Sequence, residues 1–262
     1  MDSDRGVGTR GVNTELFAAH PPVLRPKDAT WWQNPDKELH KLAGAGVVVS
    51  PTYGVYVVVP PERTGDRAWR PTLEGFALAL AQRLVGAQDA VLMGVSAARL
   101  HGALPRAVGT AVIAVPKQKR HSVQQTQWGD LFWVRRHVDD MDIQHASTDL
   151  APGWVTTIEQ TLLDIADRPE LGRLDERTAS EIIIALAPRA DWDLVAQLSD
   201  QQRRRGAFAR ARWVADGVVD ERAATPSLPQ HRDRYAQTLG LRPAVPTPAE
   251  PFGVYDPHAP GD

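Results

Sequence analysis

The segment spanning residues 24–59 constrains the fold most, because two helix signals are followed directly by two β-branched runs. Pro26 stands where the first turn of a helix tolerates a residue without a backbone donor. Asn34 and Pro35 form an N-cap followed by proline at the first helical position. The segment therefore predicts a short helix, a turn and a second helix.

A β-hairpin is predicted directly after the second helix. Gly44 and Gly46 are expected to end that helix. Valine-rich runs at 47–49 and 55–59 flank turn-forming residues at 50–54. Two helices and a two-stranded wing predict a winged helix-turn-helix, whose second helix usually enters a DNA major groove. The alternative is a small α+β module that only packs against its neighbour.

The rest of the chain predicts a larger mixed domain. Apolar residues recur with helical spacing at 73–85, and apolar runs at 111–115 and 131–134 predict strands. Further helices are expected at 12–20, 158–167, 176–186, 192–198 and 206–214. The predicted fold class is α/β (α+β), with a winged helix-turn-helix at 10–62, an α/β domain at 69–220 and a Pro-rich, largely unstructured tail at 221–262.

Composition narrows the cellular context. The chain has no cysteine, so disulfides and thiolate metal sites are excluded. No apolar run reaches the roughly 18 residues that a membrane helix needs, and the N-terminal residues lack the apolar core of a signal peptide. We expect a cytoplasmic protein that does not contact a membrane.

Catalytic motifs are weak. Ser96 lies in a G-x-S sequence without the second glycine of a nucleophile elbow, so we expect it to cap a short helix. His101 is expected to be a structural residue at a helix end. Glu159 and Asp164 are five positions apart, which places them on different helix faces. We expect no enzyme activity, no catalytic residue and no cofactor.

A metal site is not expected either. The acidic run at 139–142, with His145 nearby, lacks the ligand spacing and loop glycine of an EF-hand. No HExxH, CxxC or Walker lysine motif occurs. A solvated acidic turn is the simpler interpretation.

The second helix carries the candidate DNA-binding face. If Leu39 and Leu42 face the core, Lys37, His40 and Lys41 lie together on the outer side. Asn34 and Gln33 would meet base edges or a phosphate at the helix N-terminus, and the wing tip would touch the DNA backbone. The predicted DNA-contacting residues are Lys27, Gln33, Asn34, Lys37, His40, Lys41, Thr52 and Tyr53.

Charge counts argue against this domain binding DNA strongly by itself. Residues 1–62 contain six Lys/Arg and seven Asp/Glu. Either a homodimer on repeated sites or basic residues of the larger domain would then be needed. Seven Lys/Arg against one Asp occur between positions 99 and 136. The predicted basic surface for a partner or the DNA backbone comprises Arg99, Lys117, Lys119, Arg120, Arg135 and Arg136.

Three ordered motifs resemble the AbiEi-type antitoxins of type IV toxin–antitoxin systems. The first is the wing, with Gly-Val-Val-Val at 46–49 and Tyr-Gly-Val-Tyr at 53–56. The second is Ser-Ala-Ala-Arg-Leu-His-Gly at 96–102, followed by the strand at 112–116. The third is Thr-Thr-Ile-Glu-Gln-Thr-Leu-Leu-Asp at 156–164. Together they cover about residues 12–215.

The resemblance implies a transcriptional repressor that binds repeats in its own promoter and a second domain that counters a nucleotidyltransferase-type toxin. One rival hypothesis is a protein-interaction module, in which the winged helix packs on protein and the basic surface docks an acidic partner. A weaker rival is a nucleotide-handling enzyme that uses the basic clusters, although a metal-ligand set for such an enzyme is missing from the sequence.

Overall fold

A computed structural model describes residues 14–117, 119 and 121–222, with side chains to residue 217. The start of the helix predicted over 12–20, the side chain of Arg120 and nearly all of the Pro-rich tail lie outside the described residues. No helix among the described residues is long and apolar enough to cross a membrane.

A small antiparallel sheet and one helix dominate the N-terminal part. Residues 14–17 are helical. They are followed by strand β1, a 3-10 turn, helix α1 and strands β2 and β3, and the strand order is β1-β3-β2. The bounds are β1 Val23–Leu24, the 3-10 turn Pro26–Asp28, α1 Pro35–Gly44, β2 Val48–Thr52 and β3 Val55–Val58.

The helix predicted to begin at Pro26 is only one 3-10 turn. The Asp28 carboxylate accepts the backbone N–H of Arg25 at 3.0 Å and its Nε at 2.8 Å. These two hydrogen bonds link the residue before the 3-10 turn to the last residue of the turn. The backbone leaves the helical region at Ala29. The short helix predicted here is therefore present only as a 3-10 turn of three residues, not as an α-helix.

The hairpin turn is shorter than predicted. Strand β2 extends through Pro51 to Thr52, so the turn consists of Tyr53 and Gly54 alone. The pairing with β3 shifts between Val49 and Thr52. Such an irregularity accommodates a residue without a backbone donor, and Pro51 therefore marks a bulge rather than the turn.

A six-stranded mixed sheet forms the larger part, with strand order β6-β7-β5-β4-β9-β8. Strand pairs β5/β7 and β4/β9 are parallel, and the other pairs are antiparallel. The strands are β4 Val91–Leu92, β5 Thr110–Val115, β6 Val123–Thr126, β7 Gly129–Arg135, β8 Ile143–Ser147 and β9 Pro152–Thr156. The helices are α2 Leu73–Val85, α3 Gly94–Leu100, α4 Ile158–Asp167, α5 Glu176–Leu186, α6 Trp192–Gln201 and α7 Arg205–Arg222. The mixed fold class is confirmed.

Both faces of the central strand β5 are buried. Val112 and Ala114 pack with helices α3 to α7, whereas Ile113 and Val115 pack with α2 on the opposite face. This alternation is expected for a strand, because successive side chains point to opposite sides of the sheet.

The small sheet joins the second of these cores. Val23 and Val57 belong to the same apolar cluster as Phe76 and Leu80 of α2. Arg83 of α2 also donates from Nε to the carbonyl of Val23 at 2.8 Å. The described residues therefore form one compact unit, in which the predicted winged helix is attached to the larger domain by shared core.

Candidate functional site

Helix α1 is fixed by local chemistry at both ends. The Asn34 side chain accepts the backbone N–H of Lys37 at 3.3 Å. At the other end Gly46, with φ +72°, donates to the carbonyl of Ala43 at 3.1 Å, and the following N–H bonds to Leu42 O at 3.0 Å. This is a Schellman ending, which requires a left-handed residue where glycine stands.

One face of α1 is buried and the other carries polar side chains. Leu39 is fully buried, and the partly buried Leu42 packs against the apolar cluster of the small sheet. Lys37, His40 and Lys41 are exposed, in agreement with the predicted arrangement. The helical period of the sequence was sufficient to predict which face of α1 is buried and which is exposed.

The exposed polar side chains of α1 are almost unengaged. Those of Lys37 and His40 make no hydrogen bond or ion pair with the described residues. The ammonium of Lys41 lies 4.0 Å from Glu38, and its side chain is 77% exposed, so the pair is weak. The Asn34 oxygen accepts the cap bond, and the two donors of its amide nitrogen make no hydrogen bond with the described residues.

The wing tip is exposed but firmly positioned. Tyr53 is fully exposed and Thr52 is half-buried. The carbonyl of buried Pro51 accepts the N–H of Gln127, in the turn between β6 and β7, at 2.8 Å. This bond ties the wing to the larger sheet and leaves the Tyr53 ring free. Lys27 and Gln33 are also exposed.

Two arginines of the predicted basic surface are engaged inside the fold. Arg99 Nε lies 3.0 Å from Glu74 Oε1, an ion pair without an aligned hydrogen bond. Burial raises the pKa of Glu74, and Arg99 opposes that rise. Arg136 Nη1 donates to Asp164 at 2.7 Å and its side chain is only 11% exposed. These two residues do not form part of an open cationic surface.

The other described members of the set differ in exposure. Lys117 and Arg135 are exposed. Lys119 is half-buried, with its ammonium 5.4 Å from the centroid of the Trp133 ring. Burial and the charge of Arg25 lower the pKa of Lys119. The exposed positive charge is therefore more limited than the sequence count suggests.

Ser96 does not cap its helix. Helix α3 begins at Gly94, and the Ser96 hydroxyl accepts the backbone N–H of Val112 at 2.9 Å. The sequence could not reveal this, because the partner lies 16 positions away on β5.

The segments 96–102 and 156–164 contact each other. His101 Nε2 lies 2.8 Å from the carbonyl oxygen of Thr156, so Nε2 carries the donated proton. Burial lowers the pKa of His101. The backbone carbonyl of His101 also accepts Nη1 of Arg189 at 2.6 Å.

A buried polar network surrounds Asp164, whose side chain has no exposed surface. Its Oδ1 accepts Arg136 Nη1 at 2.7 Å, Arg204 Nη1 at 2.8 Å and Gln160 Nε2 at 3.0 Å. Its Oδ2 has no hydrogen-bond partner among the described residues. Burial raises the pKa of the Asp164 carboxyl, and both arginines oppose that rise. Gln202 completes the network through Arg136 and Gln160.

The sequence contained one signal for this network. Asp164 lies between Leu163 and Ile165 on a helix that is mostly buried, and a buried carboxylate requires partners. Glu159 is separate from it and instead accepts the N–H of Asp191 at 3.0 Å.

The acidic run at 139–142 borders an open cleft of about 590 Å³. Asp142 is bound by the Thr157 hydroxyl at 2.7 Å, and His145 packs on Trp154 with ring centroids 3.7 Å apart. These contacts give both candidate ligands a structural role.

Comparison with known proteins shows the fold alone. No family model and no curated protein matches the chain. A crystal structure of the RV2827C protein from Mycobacterium tuberculosis is similar, with a TM-score of 0.57 and 19% sequence identity. The similarity covers 92% of this chain and 85% of that one. At this identity the match supports the mixed α/β fold and carries no functional assignment.

Proposed function

We propose that this chain is a DNA-binding transcriptional repressor in which α1 enters the major groove. The observation that carries the proposal is the exposed face of α1, on the side opposite Leu39. Lys37 and His40 have no partner among the described residues, and Lys41 has only a weak one. Lysines that are not already paired can neutralise phosphates and release counterions.

The order of elements around α1 supports a winged helix-turn-helix. Helical residues at 14–17 precede β1, the 3-10 turn, α1 and the β2–β3 hairpin. In this interpretation the 3-10 turn replaces the first helix of the pair, α1 is the recognition helix and the hairpin is the wing. The exposed Tyr53 would contact the sugar-phosphate backbone beside the groove.

Binding by a single domain should be weak. The acidic residues Asp36 and Glu38 lie on α1 itself. Lys117 and Arg135 are the exposed cations among the described members of the basic surface. We therefore propose that the protein binds repeats in its own promoter as a homodimer or with help from these cations, in the cytoplasm.

The antitoxin role is proposed from the resemblance to AbiEi-type proteins. In support of this role, the His101–Thr156 hydrogen bond joins the second and third motifs of that resemblance. The proposed partner is a nucleotidyltransferase-type toxin. Co-expression with each adjacent gene product tests this role: rescue of growth supports it, and toxicity that persists for every neighbour contradicts it.

Fluorescence anisotropy with DNA from upstream of the gene tests the DNA-binding role. The Lys37→Ala/Lys41→Ala variant should bind DNA more weakly. The slope of its log binding constant against log salt concentration should become shallower by about one unit per lost phosphate contact. Arg177→Ala/Arg205→Ala is the matched control, because both arginines are exposed on the larger domain and the charge change is equal. Equal affinity of the two variants would contradict the assignment of α1. Co-purification with a neighbouring protein, without any DNA shift, would favour the interaction-module hypothesis.

A further inference from the structure

Strand β8 forms one edge of the six-stranded sheet, and part of its backbone points away from that sheet. Thr157 donates its N–H to the carbonyl of Asp142 at 3.1 Å. At the other end of the strand, Thr148 donates to the carbonyl of Ala151 at 3.2 Å. In an antiparallel pair, hydrogen-bonded positions alternate with positions whose N–H and C=O groups point outward. The outward positions of β8 are therefore Ile143, His145 and Ser147.

The outward positions leave a row of unpaired backbone groups along the edge. Their N–H and C=O groups make no hydrogen bond with the described residues. Gln144, His145 and Ser147 are exposed, so this row is open to solvent. A sheet edge in this state is a template for pairing with another strand.

Strand β8 lacks the features that usually protect an edge. It contains no proline, lysine, arginine, aspartate or glutamate, and its pairing with β9 has no bulge. The flanking carboxylates are engaged within the chain: Asp142 accepts the Thr157 hydroxyl at 2.7 Å. Asp149 likewise accepts the Thr72 hydroxyl at 2.7 Å. At the opposite edge of the sheet, by contrast, the turn after β6 is bonded to the wing through Gln127.

We propose that β8 pairs antiparallel with β8 of a second copy of this chain. A two-fold axis at His145 places Ile143 opposite Ser147 of the second copy, and every outward N–H then meets an outward C=O. Asp142 lies opposite Thr148 in this register, so no two carboxylates face each other. A second copy fits this edge because the same strand supplies both the complementary backbone groups and the absence of like charges.

This dimer forms without DNA, so it does not depend on the proposed DNA binding. It supplies the two-fold arrangement that recognition of repeated sites requires. A chain that stays monomeric and still binds upstream DNA would contradict the dimer and leave the repressor proposal standing.

Sedimentation velocity of the full chain without DNA tests the dimer. Concentrations from about 5 to about 500 μM cover dissociation constants in the micromolar range. We expect the fraction of dimer to rise with concentration across this range. A chain that remains monomeric at the highest concentration would overturn the proposal.

Single-cysteine variants test the position of the two-fold axis. The chain has no cysteine, so each variant carries one thiol. Facing residues of a hydrogen-bonded antiparallel pair have Cα atoms about 5.5 Å apart, which suits a disulfide. His145→Cys should therefore cross-link to its own copy under mild oxidation.

Ser147→Cys is the matched control on the same exposed strand. In the proposed register its two thiols lie four positions apart along the strands, roughly 14 Å. We expect His145→Cys to cross-link at least about tenfold faster than Ser147→Cys. Equal rates of cross-linking would overturn the proposed pairing.

Proline variants test whether the edge of β8 is the interface. His145→Pro removes an outward N–H and leaves the hydrogen bonds to β9 intact, so it should weaken dimerisation at least about tenfold. Gln125→Pro is the matched control on the opposite edge. The bond from Trp133 N–H to Ser122 O at 2.8 Å makes Gln125 an outward position of β6.

The Gln125→Pro variant should dimerise as the wild type does. Wild-type dimerisation by His145→Pro would overturn the proposal, as would equal weakening by both proline variants. Circular dichroism establishes that His145→Pro is folded, and the comparison of the two cysteine variants remains decisive if it is not.

Discussion

Replacing Asp164 by asparagine should destabilise the protein severely. The substitution keeps the shape and an acceptor oxygen for Arg136, Arg204 and Gln160, but it removes the buried negative charge that both guanidinium groups contact. Arg204 retains Asp167 at 3.7 Å, whereas Arg136 loses its carboxylate partner. Removing one partner of a buried ion pair typically costs about 3–5 kcal/mol. For a protein of this size that cost corresponds to a melting temperature lower by roughly 6–20 °C.

Urea denaturation followed by tryptophan fluorescence measures the effect. Asp89→Asn is the control, because Asp89 is exposed and its carboxylate has no partner among the described residues. The Asp164→Asn/Arg204→Gln double variant should lose less free energy of unfolding than the sum of the losses in the two single variants. The reason is that Arg204→Gln removes one of the positive charges that Asp164→Asn leaves without its partner. A decrease of less than about 1 kcal/mol in the free energy of unfolding of Asp164→Asn would refute the view that this carboxylate stabilises the buried arginines.

Two further substitutions probe other parts of the fold. His101→Gln should flatten the pH dependence of stability below pH 6.5, because burial lowers the folded-state pKa of His101 and the unfolded chain takes up the proton first as the pH falls. Urea titrations at several pH values check this, and an unchanged slope between wild type and variant would contradict it. Gly129→Ala should cost about 1–3 kcal/mol, because its φ is +143° and a Cβ would lie 2.4 Å from the carbonyl oxygen of Gly109. Gly206→Ala, where a Cβ meets nothing within 4 Å, should not destabilise the protein, and equal melting temperatures for the two variants would contradict this account.

Helix α1 was predictable because its determinants are local. The Asn34 cap, Pro35 and the Gly46 ending all act within one turn of the helix. The exposed positions of Lys37 and Lys41 then follow from the helical period. Local sequence was not sufficient for the hairpin. Pro51 is compatible with a turn and with a bulge, and only the pairing of β2 with β3 distinguishes the two.

Contacts between distant residues were not predictable. Arg136 was assigned to an open basic surface, yet it pairs with Asp164, 28 positions away. Arg99 likewise pairs with Glu74 of another helix. An arginine count cannot distinguish exposed charge from charge neutralised in the fold, because neutralisation depends on which helices meet. The cleft of about 590 Å³ beside Arg136 was not predictable for the same reason, because it forms where segments 136–142 and 198–204 meet.

Chemical protection of α1 by DNA tests the central claim most directly. Because the chain has no cysteine, a His40→Cys variant carries a single thiol on the exposed face of α1. Arg177→Cys instead places the only thiol at an exposed position of α5, in the larger domain. Maleimide labelling is measured with and without saturating upstream DNA. The account predicts that DNA slows labelling of His40→Cys and leaves Arg177→Cys unchanged, whereas an equal labelling rate at His40→Cys with and without bound DNA would contradict it.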